Sequence, residues 1–266
     1  MMNTVEIAEK SFELCRNCRP FDFSLSCDTS KCGNPERTVT KAVVCMVATT
    51  DLIRKAVDWG AEMIITHEPV FHDGFDRIDK NDPVTAAKVK LLKESGIVVW
   101  RLHDHMHLCQ PDMIAEHLAV HLGLNGAMEW SEPRNVPRFR LNSPLTPLEI
   151  AEKMKQESFA EYIRLSGSTD HKCSLISLCC GQQGDNLYSE LKDPEIDLVI
   201  AGEGCEWLHC EYARDAGMLG FHKALLFLGH IPSERDGMIY LSKQLQKNCP
   251  GVEIRYFECG ESYLTI

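Results

Sequence analysis

The stretch Val5-Glu6-Ile7-Ala8-Glu9-Lys10 returns much later as Leu148-Glu149-Ile150-Ala151-Glu152-Lys153, and the two copies are succeeded by the same elements in the same order. The second copy opens as a helix, with Thr146 as N-cap, Pro147 at the first helical position and Glu149 completing a capping box. After the first copy come an apolar strand (Val39 to Ala48), a helix from Asp51 and a strand running into Thr66-His67-Glu68-Pro69. After the second come a strand (Ser174 to Cys180), a helix from Asp185 and a strand running into Ala201-Gly202-Glu203-Gly204. A further helix and strand complete each half: Asp82-Pro83 caps a helix ending at Gly96 before the strand that delivers His103. In the second half a helix through Cys210 to Asp215 ends at Gly217, and the strand Lys223 to Leu228 delivers His230. A chain repeating strand, helix, strand, helix, strand folds as two related α/β halves, each a mostly parallel sheet covered by helices. Residues 1–130 are expected to form the first half and 131–266 the second. Ser131 to Pro147, with prolines at 133, 137, 144 and 147, reads as the joint between them.

Bulk properties narrow the function. With 266 residues and 44% hydrophobic side chains the chain can bury a core, yet no apolar run approaches the roughly 20 residues of a membrane span. MMNTVEIAEKSFEL lacks the apolar centre of a signal peptide, so the expected location is the cytoplasm. The net charge of −11 without a long basic run argues against duplex nucleic acid or an anionic membrane as main partner. Thirteen cysteines, an odd and scattered number, suit reduced thiols better than a disulfide framework. Cys15, Cys18, Cys27 and Cys32 could as four thiolates hold a structural zinc; the alternative is that they are ordinary free cysteines. No phosphate-loop motif and no G-x-S-x-G is present.

The chemistry-bearing residues gather just beyond predicted strands, where open α/β sheets place their sites. His67-Glu68, the run His103-Asp104-His105-Met106-His107, and His230 with Glu234 form three clusters of imidazole and carboxylate. Such donors suit Zn, Mn, Fe, Co or Ni, and a shared carboxylate can bridge two cations. His103-x3-His107 stands opposite His230-x3-Glu234 in the repeat. His117 and His121 lie one turn apart beside an apolar helix face and read as surface or packing residues. An H-x-H barrel hydrolase is a third reading of HDHMH, but such barrels carry the motif near the first of eight strands, and here it comes after the third.

The runs AVDWGAEMIITHEPVF (56 to 71), GIVVWRLHDHMHL (96 to 108), the helix end HLGL (121 to 124), DLVIAGE (197 to 203) and LGHIPSE (228 to 234) together resemble the NGG-interacting factor three family. Its members are often labelled GTP cyclohydrolase type 2-like. The resemblance implies two α/β halves with a two-metal site between them, and hexameric rings. By position it implies that His67 and Glu68 stand for two family histidines, His107 for an aspartate, and His230 and Glu234 for the last pair. Glu68 and His107 exchange the family's residue types, which conserves the count of imidazoles and carboxylates. The family's Asp-Asn-x-Gly-Leu stretch has FDFSLSCDTSKCGNPE in its place.

The expected function is therefore that of a divalent-metal protein, a dinuclear metal-dependent hydrolase or cyclohydrolase acting on a nucleotide-like or phosphorylated small molecule. The expected ligands are His67, Glu68, His107, His230 and Glu234, holding two Zn, Mn or Fe ions per chain, with His103 or His105 handling protons or orienting ligands. The alternative is a non-catalytic metal-binding or metal-delivery ring. A homo-oligomer, hexameric by resemblance, and a small-molecule substrate are the expected partners.

Overall fold

The structure, a computed structural model, describes residues 1–131, 136–156, 160 and 162–264. In chain order the elements are β1 (Met2–Asn3), α1 (Thr4–Leu14), β2 (Ser30–Cys32), β3 (Thr38–Val39), β4 (Lys41–Cys45), α2 (Thr50–Trp59), β5 (Met63–Thr66), α3 (Pro83–Ser95), β6 (Val98–Arg101) and α4 (Asp104–Leu108). Next come α5 (Met113–His121), β7 (Gly126–Trp130), β8 (Pro137–Leu145), α6 (Pro147–Gln156), β9 (Arg164–Gly167), β10 (Cys173–Cys179) and α7 (Asp185–Lys192). The chain continues through β11 (Leu198–Ala201), a π-helical turn (Glu206–Cys210), α8 (Glu211–Met218), β12 (Ala224–Phe227), α9 (His230–Asn248) and β13 (Glu253–Tyr256).

Two compact units result, Met1–Met113 with Gly237–Ile266, and Ile114–Asp236. This differs from the expected division at 130/131. The chain's end returns to the first unit because β13 pairs in parallel with β4, Glu253 opposite Lys41 and Tyr256 opposite Val44.

The first unit holds a five-stranded sheet in the order β13-β4-β5-β6-β2, parallel except for β2, and a small β1-β3 pair. Every residue of β5 is buried, as expected of a central parallel strand covered on both faces. Asp82 and Gly96 bound α3 as expected, and α2 is bounded in the same way. Thr49 caps α2 by accepting the Leu52 N–H, Asp82 caps α3 ahead of Pro83, and Gly60 and Gly96 end the two helices at φ +85° and +63°, a region that favours glycine. α1 opens with a reciprocal capping box of Asn3 and Glu6, the counterpart of Thr146 and Glu149 at α6.

The second unit holds a six-stranded sheet, β7-β8-β10-β11-β12-β9. Its central trio β10-β11-β12 is parallel, and all its other pairings are antiparallel. The trio repeats β4-β5-β6 of the first unit, each made by strand, helix, strand, helix, strand. The proline-rich stretch expected to be a joint is instead largely β8, paired on both sides. Pro137 is its first residue, where a missing N–H is tolerated, while Phe139 and Leu141 are buried. Arg138 enters the interior from β8 to meet Glu190 at 2.8 and 3.0 Å and Asp193 at 2.6 Å, which a solvent-exposed linker would not supply. Residues 132–135 of the expected joint lie outside the described residues. Separate open sheets of five and six strands also remove the H-x-H barrel reading. No helix among the described residues is long and apolar enough to cross a membrane.

Candidate metal centre

In the first unit the repeat's logic places ligands at the carboxyl ends of β5 and β6. The loop after β5 carries His67 and Glu68 and is fixed from beneath by a buried ion pair. Arg101, the last residue of β6, donates to the His67 carbonyl at 3.1 Å and to the Gly74 carbonyl at 2.7 Å. Asp76 holds Arg101 at 3.3 Å and accepts the Val70 N–H at 2.5 Å. After β6 the chain passes directly into α4, so that His103 and His107, four residues apart, lie on one side of a single helical turn.

Three imidazoles meet there. Ring centroids are 4.6 Å apart for His67 and His103, 5.1 Å for His67 and His107, and 4.8 Å for His103 and His107. Their ligand atoms lie within 4.8 Å of one another. Each ring is engaged at Nδ1 by an acceptor: His67 by the Leu102 carbonyl at 3.0 Å, His103 by the Asp104 carboxylate at 3.1 Å, and His107 by the Asp112 carboxylate at 3.2 Å. A carbonyl or carboxylate oxygen fixes the proton on Nδ1 and puts the ring's lone pair at Nε2, the pattern behind metal-binding histidines. The Nε2 atoms of His67 and His107 are 3.2 Å apart. Two lone pairs at that separation repel unless a positive charge, a proton or a metal cation, accompanies them. Burial first, and then the neighbouring His103 and His107, push the His67 pKa well below the usual imidazole value, while Glu68 and the Leu102 carbonyl act in the opposite direction. The donor set therefore fits a divalent cation.

His105 is not part of this group. Its ring is sandwiched between Phe12 and Phe23, centroids 4.2 and 4.1 Å away, and its Nδ1 meets Asp28 at 2.6 Å. Asp28 is the residue that sequence reasoning missed. Its carboxylate accepts the backbone N–H of His103 (2.6 Å), Asp104 (3.0 Å) and His105 (2.8 Å), gathering the amides where α4 starts. Burial alone would raise its pKa, but the bonds from the His105 ring and those three amides outweigh it and hold the carboxyl below its ordinary value. Asp104 is anchored similarly, accepting the Ser26 hydroxyl at 2.9 Å and the Cys27 N–H at 3.0 Å while holding His103. The cysteine-rich opening segment thus fixes His103 and His105. A charge pattern could have flagged Asp112, five residues past His107, but nothing local marks Asp28.

Of Cys15, Cys18, Cys27 and Cys32, only Cys27 enters a metal-capable group among the described residues, with His103 and Asp104. Burial pushes its thiol up to about 12, which disfavours the thiolate that a metal needs. All thirteen cysteines are free thiols.

In the second unit the corresponding strand end, after β12, begins α9 with His230, and Glu234 stands one turn later. His230 Nδ1 meets Glu203 at 2.9 Å and its Nε2 meets the buried Glu234 at 3.3 Å. The sequence pairing of His230 with Glu234 is therefore a contact, and Glu203, on the loop after β11, orients the ring as Asp112 orients His107. Gly181 packs against this pair: a Cβ there would overlap Glu234 Oε1 and lie 3.2 Å from His230 Nε2, and its φ of +60° also favours glycine. His121, read as a packing residue, pairs with Asp236 at 2.8 Å.

Comparison with known proteins agrees with the architecture. The chain is 23% identical over 220 residues to a GTP cyclohydrolase 1 type 2 homolog of Clostridium perfringens (strain 13 / Type A), covering 81% of each. It is 27% identical over 215 residues to the GTP cyclohydrolase 1 type 2 homolog of Escherichia coli (strain K12), covering 80% of this chain and 82% of the relative. The crystal structure of a Bacillus cereus protein related to NIF3 superposes with a TM-score of 0.78 at 14% identity, over 100% of this chain and 99% of that one. A family profile matches residues 21–261, both units included, and on that match the chain belongs to the Duf34/NIF3 (NGG1p interacting factor 3) family.

Proposed function

We propose that this protein is a metal-dependent hydrolase whose cation is held by the Nε2 atoms of His67, His103 and His107. The observation that carries the reading is the concerted engagement of all three Nδ1 atoms, which leaves donor lone pairs at Nε2 and brings two of them within 3.2 Å. Structural metal sites close with four protein ligands, whereas three imidazoles match the ligand count of catalytic sites that keep a position for water or substrate. A divalent ion held by these three imidazoles would supply Lewis acidity toward a carbonyl or phosphoryl group and toward water. The protein's own part is orientation: Asp104, Asp112 and the Leu102 carbonyl hold the ring tautomers, and Asp28 holds the turn that presents two of the rings. In this proposal His103 is a ligand, where the sequence suggested that His103 or His105 handles protons or orients ligands, and His105 has a positioning role. For a second cation we propose His230 and Glu234, which meet at 3.3 Å, as ligands.

A nucleotide-like substrate accords with the name carried by the relatives and belongs to the same proposal, as does a homo-oligomer, a hexamer by resemblance, for which a light-scattering mass of six chains is the check. The test of the reaction is turnover of GTP and other nucleoside triphosphates by protein loaded with Zn, Mn or Fe. Hydrolysis that requires the metal and is lost in His67→Ala supports the reading. Stoichiometric metal without turnover of any substrate refutes the hydrolase and favours a metal-binding role.

A further inference from the structure

Cys15, Cys18 and Cys109 form a thiol group that the proposed chemistry does not use. Cys15 closes α1, Cys109 closes α4, and the two buried thiols are near enough to interact directly. The segments carrying them are braced by two backbone bonds, Arg19 N–H to the Leu108 carbonyl at 2.9 Å and Gln110 N–H to the Arg16 carbonyl at 3.4 Å. Cys18 Sγ lies 3.1 Å from the Cys15 carbonyl oxygen and 3.8 Å from the His105 carbonyl oxygen, which also accepts the Cys109 N–H at 3.1 Å. Cys15 and Cys109 are buried and Cys18 is half-buried, so an oxidant from solution meets Cys18 first.

The geometry points to a disulfide-forming site in which Cys18 accepts oxidation from a small-molecule disulfide and Cys15 and Cys109 retain it, with the closed form weakening the metal centre. The Cys18 thiolate attacks the reagent RSSR, whose S–S bond breaks to release one RSH and leave Cys18–S–S–R. Cys15, three residues away, attacks the Cys18 sulfur and releases the second RSH. Cys109 then attacks Cys15, forming the Cys15–Cys109 bond and returning Cys18 to a thiol. In sum two protein thiols are oxidised to one disulfide and RSSR is reduced to two RSH.

The link to the metal centre lies in the turn between His107 and Asp112. The Cys109 thiol is shared between the carbonyls of Met106 at 3.1 Å and Pro111 at 3.2 Å, tying that turn together from within. A disulfide sulfur carries no hydrogen, so oxidation removes this donation and draws the sulfur to about 2.05 Å from that of Cys15. His107 then loses the fixed position of its Asp112 partner, and loss of such a partner weakens metal binding by about 10–100-fold. This coupling rests on the proposed metal centre; the disulfide does not.

The test treats the full-length protein with oxidised glutathione, blocks remaining thiols with N-ethylmaleimide and maps disulfides by peptide mass spectrometry. Zinc affinity is measured by competition with a chromophoric chelator before oxidation, after it, and after dithiothreitol. The expected result is a Cys15–Cys109 linked peptide, zinc affinity at least about tenfold weaker, and recovery on reduction. Cys18→Ser should slow formation of the link without abolishing the reduced protein's zinc binding. Cys15 and Cys109 both recovered as alkylated thiols would overturn the site, as would a lasting Cys15–Cys18 link. A Cys15–Cys109 link with unchanged zinc affinity would overturn the coupling, and failure of the reduced protein to bind zinc would instead count against the metal centre, with the disulfide still read by the peptide map.

Discussion

Replacing Asp28 by Asn exchanges one oxygen of the carboxylate that starts α4 for an NH2 group, and its effect can be worked from the bonds it makes. Oδ1 accepts the amides of His103 and Asp104, and Oδ2 accepts the amide and ring Nδ1 of His105, at 2.6 to 3.0 Å. An asparagine keeps one oxygen and turns a donor NH2 toward the other pair, so one backbone N–H loses its acceptor and the remaining bonds lose charge assistance. Hydrogen bonds to a charged group contribute about 1.5–3 kcal/mol each, and a buried group left unsatisfied costs about 1–3 kcal/mol. The expected destabilisation is about 3 kcal/mol, or roughly 6–12 °C in Tm for a chain of this size. The sign with pH comes from the depressed carboxyl: its contribution is complete above the unfolded value of about 3.9 and is lost as pH falls through the lower folded value. Asp28→Asn should therefore flatten the acid limb of a stability profile below about pH 4. Because Asp28 positions His103 and the helix that bears His107, zinc affinity should also fall by about 10–100-fold. Thermal denaturation across pH and chelator competition measure both. Zinc affinity within about twofold of wild type, in a variant that is destabilised as expected, would refute the positioning argument.

Three further outcomes rest on the same geometry. Asp112→Asn should lower zinc affinity by about 10–100-fold while leaving the far-UV circular dichroism unchanged, since it removes the charge that fixes the His107 tautomer; an unchanged affinity would mean that His107 is not a ligand. The metal-free protein should lose stability below about pH 6.5, at about 1.4 kcal/mol per pH unit, because the buried His67 has a folded pKa below its unfolded one and the unfolded chain takes up the proton first. Denaturant titrations of wild type and His67→Gln compare that slope directly, and equal slopes would contradict it. Gly181→Ala should displace Glu234, strain the backbone at φ +60° by about 1–2 kcal/mol and reduce any metal bound through His230 and Glu234, read by thermal denaturation and metal content.

The repeat was legible because its signals are local. Thr49, Asp82, Gly60, Gly96 and the apolar runs of β4, β5, β10 and β11 announce caps and buried parallel strands within a few residues of sequence. The return of β13 to β4 carries no such signal, since Glu253–Tyr256 finds its partner more than two hundred residues away. β8 was hidden by its prolines, which mark turns in general but here stand at a strand's first position and near its end. In the candidate site, His67, His103 and His107 were visible as ligand types beyond strands. Which of the HDHMH histidines face one another was not, because that depends on Phe12, Phe23 and Asp28 capturing His105. Those three residues come from the opening segment, where four cysteines are far more conspicuous than a single aspartate.

Whether His67, His103 and His107 hold a divalent cation decides between the readings above all else. Elemental analysis of protein purified without added metal or a histidine tag, alongside His67→Ala, answers it. At least one divalent ion per chain is expected in the wild type, with a clear loss in the variant. A chain that contains none, and takes up none after incubation with Zn, Mn or Fe salts, would contradict the three-histidine centre.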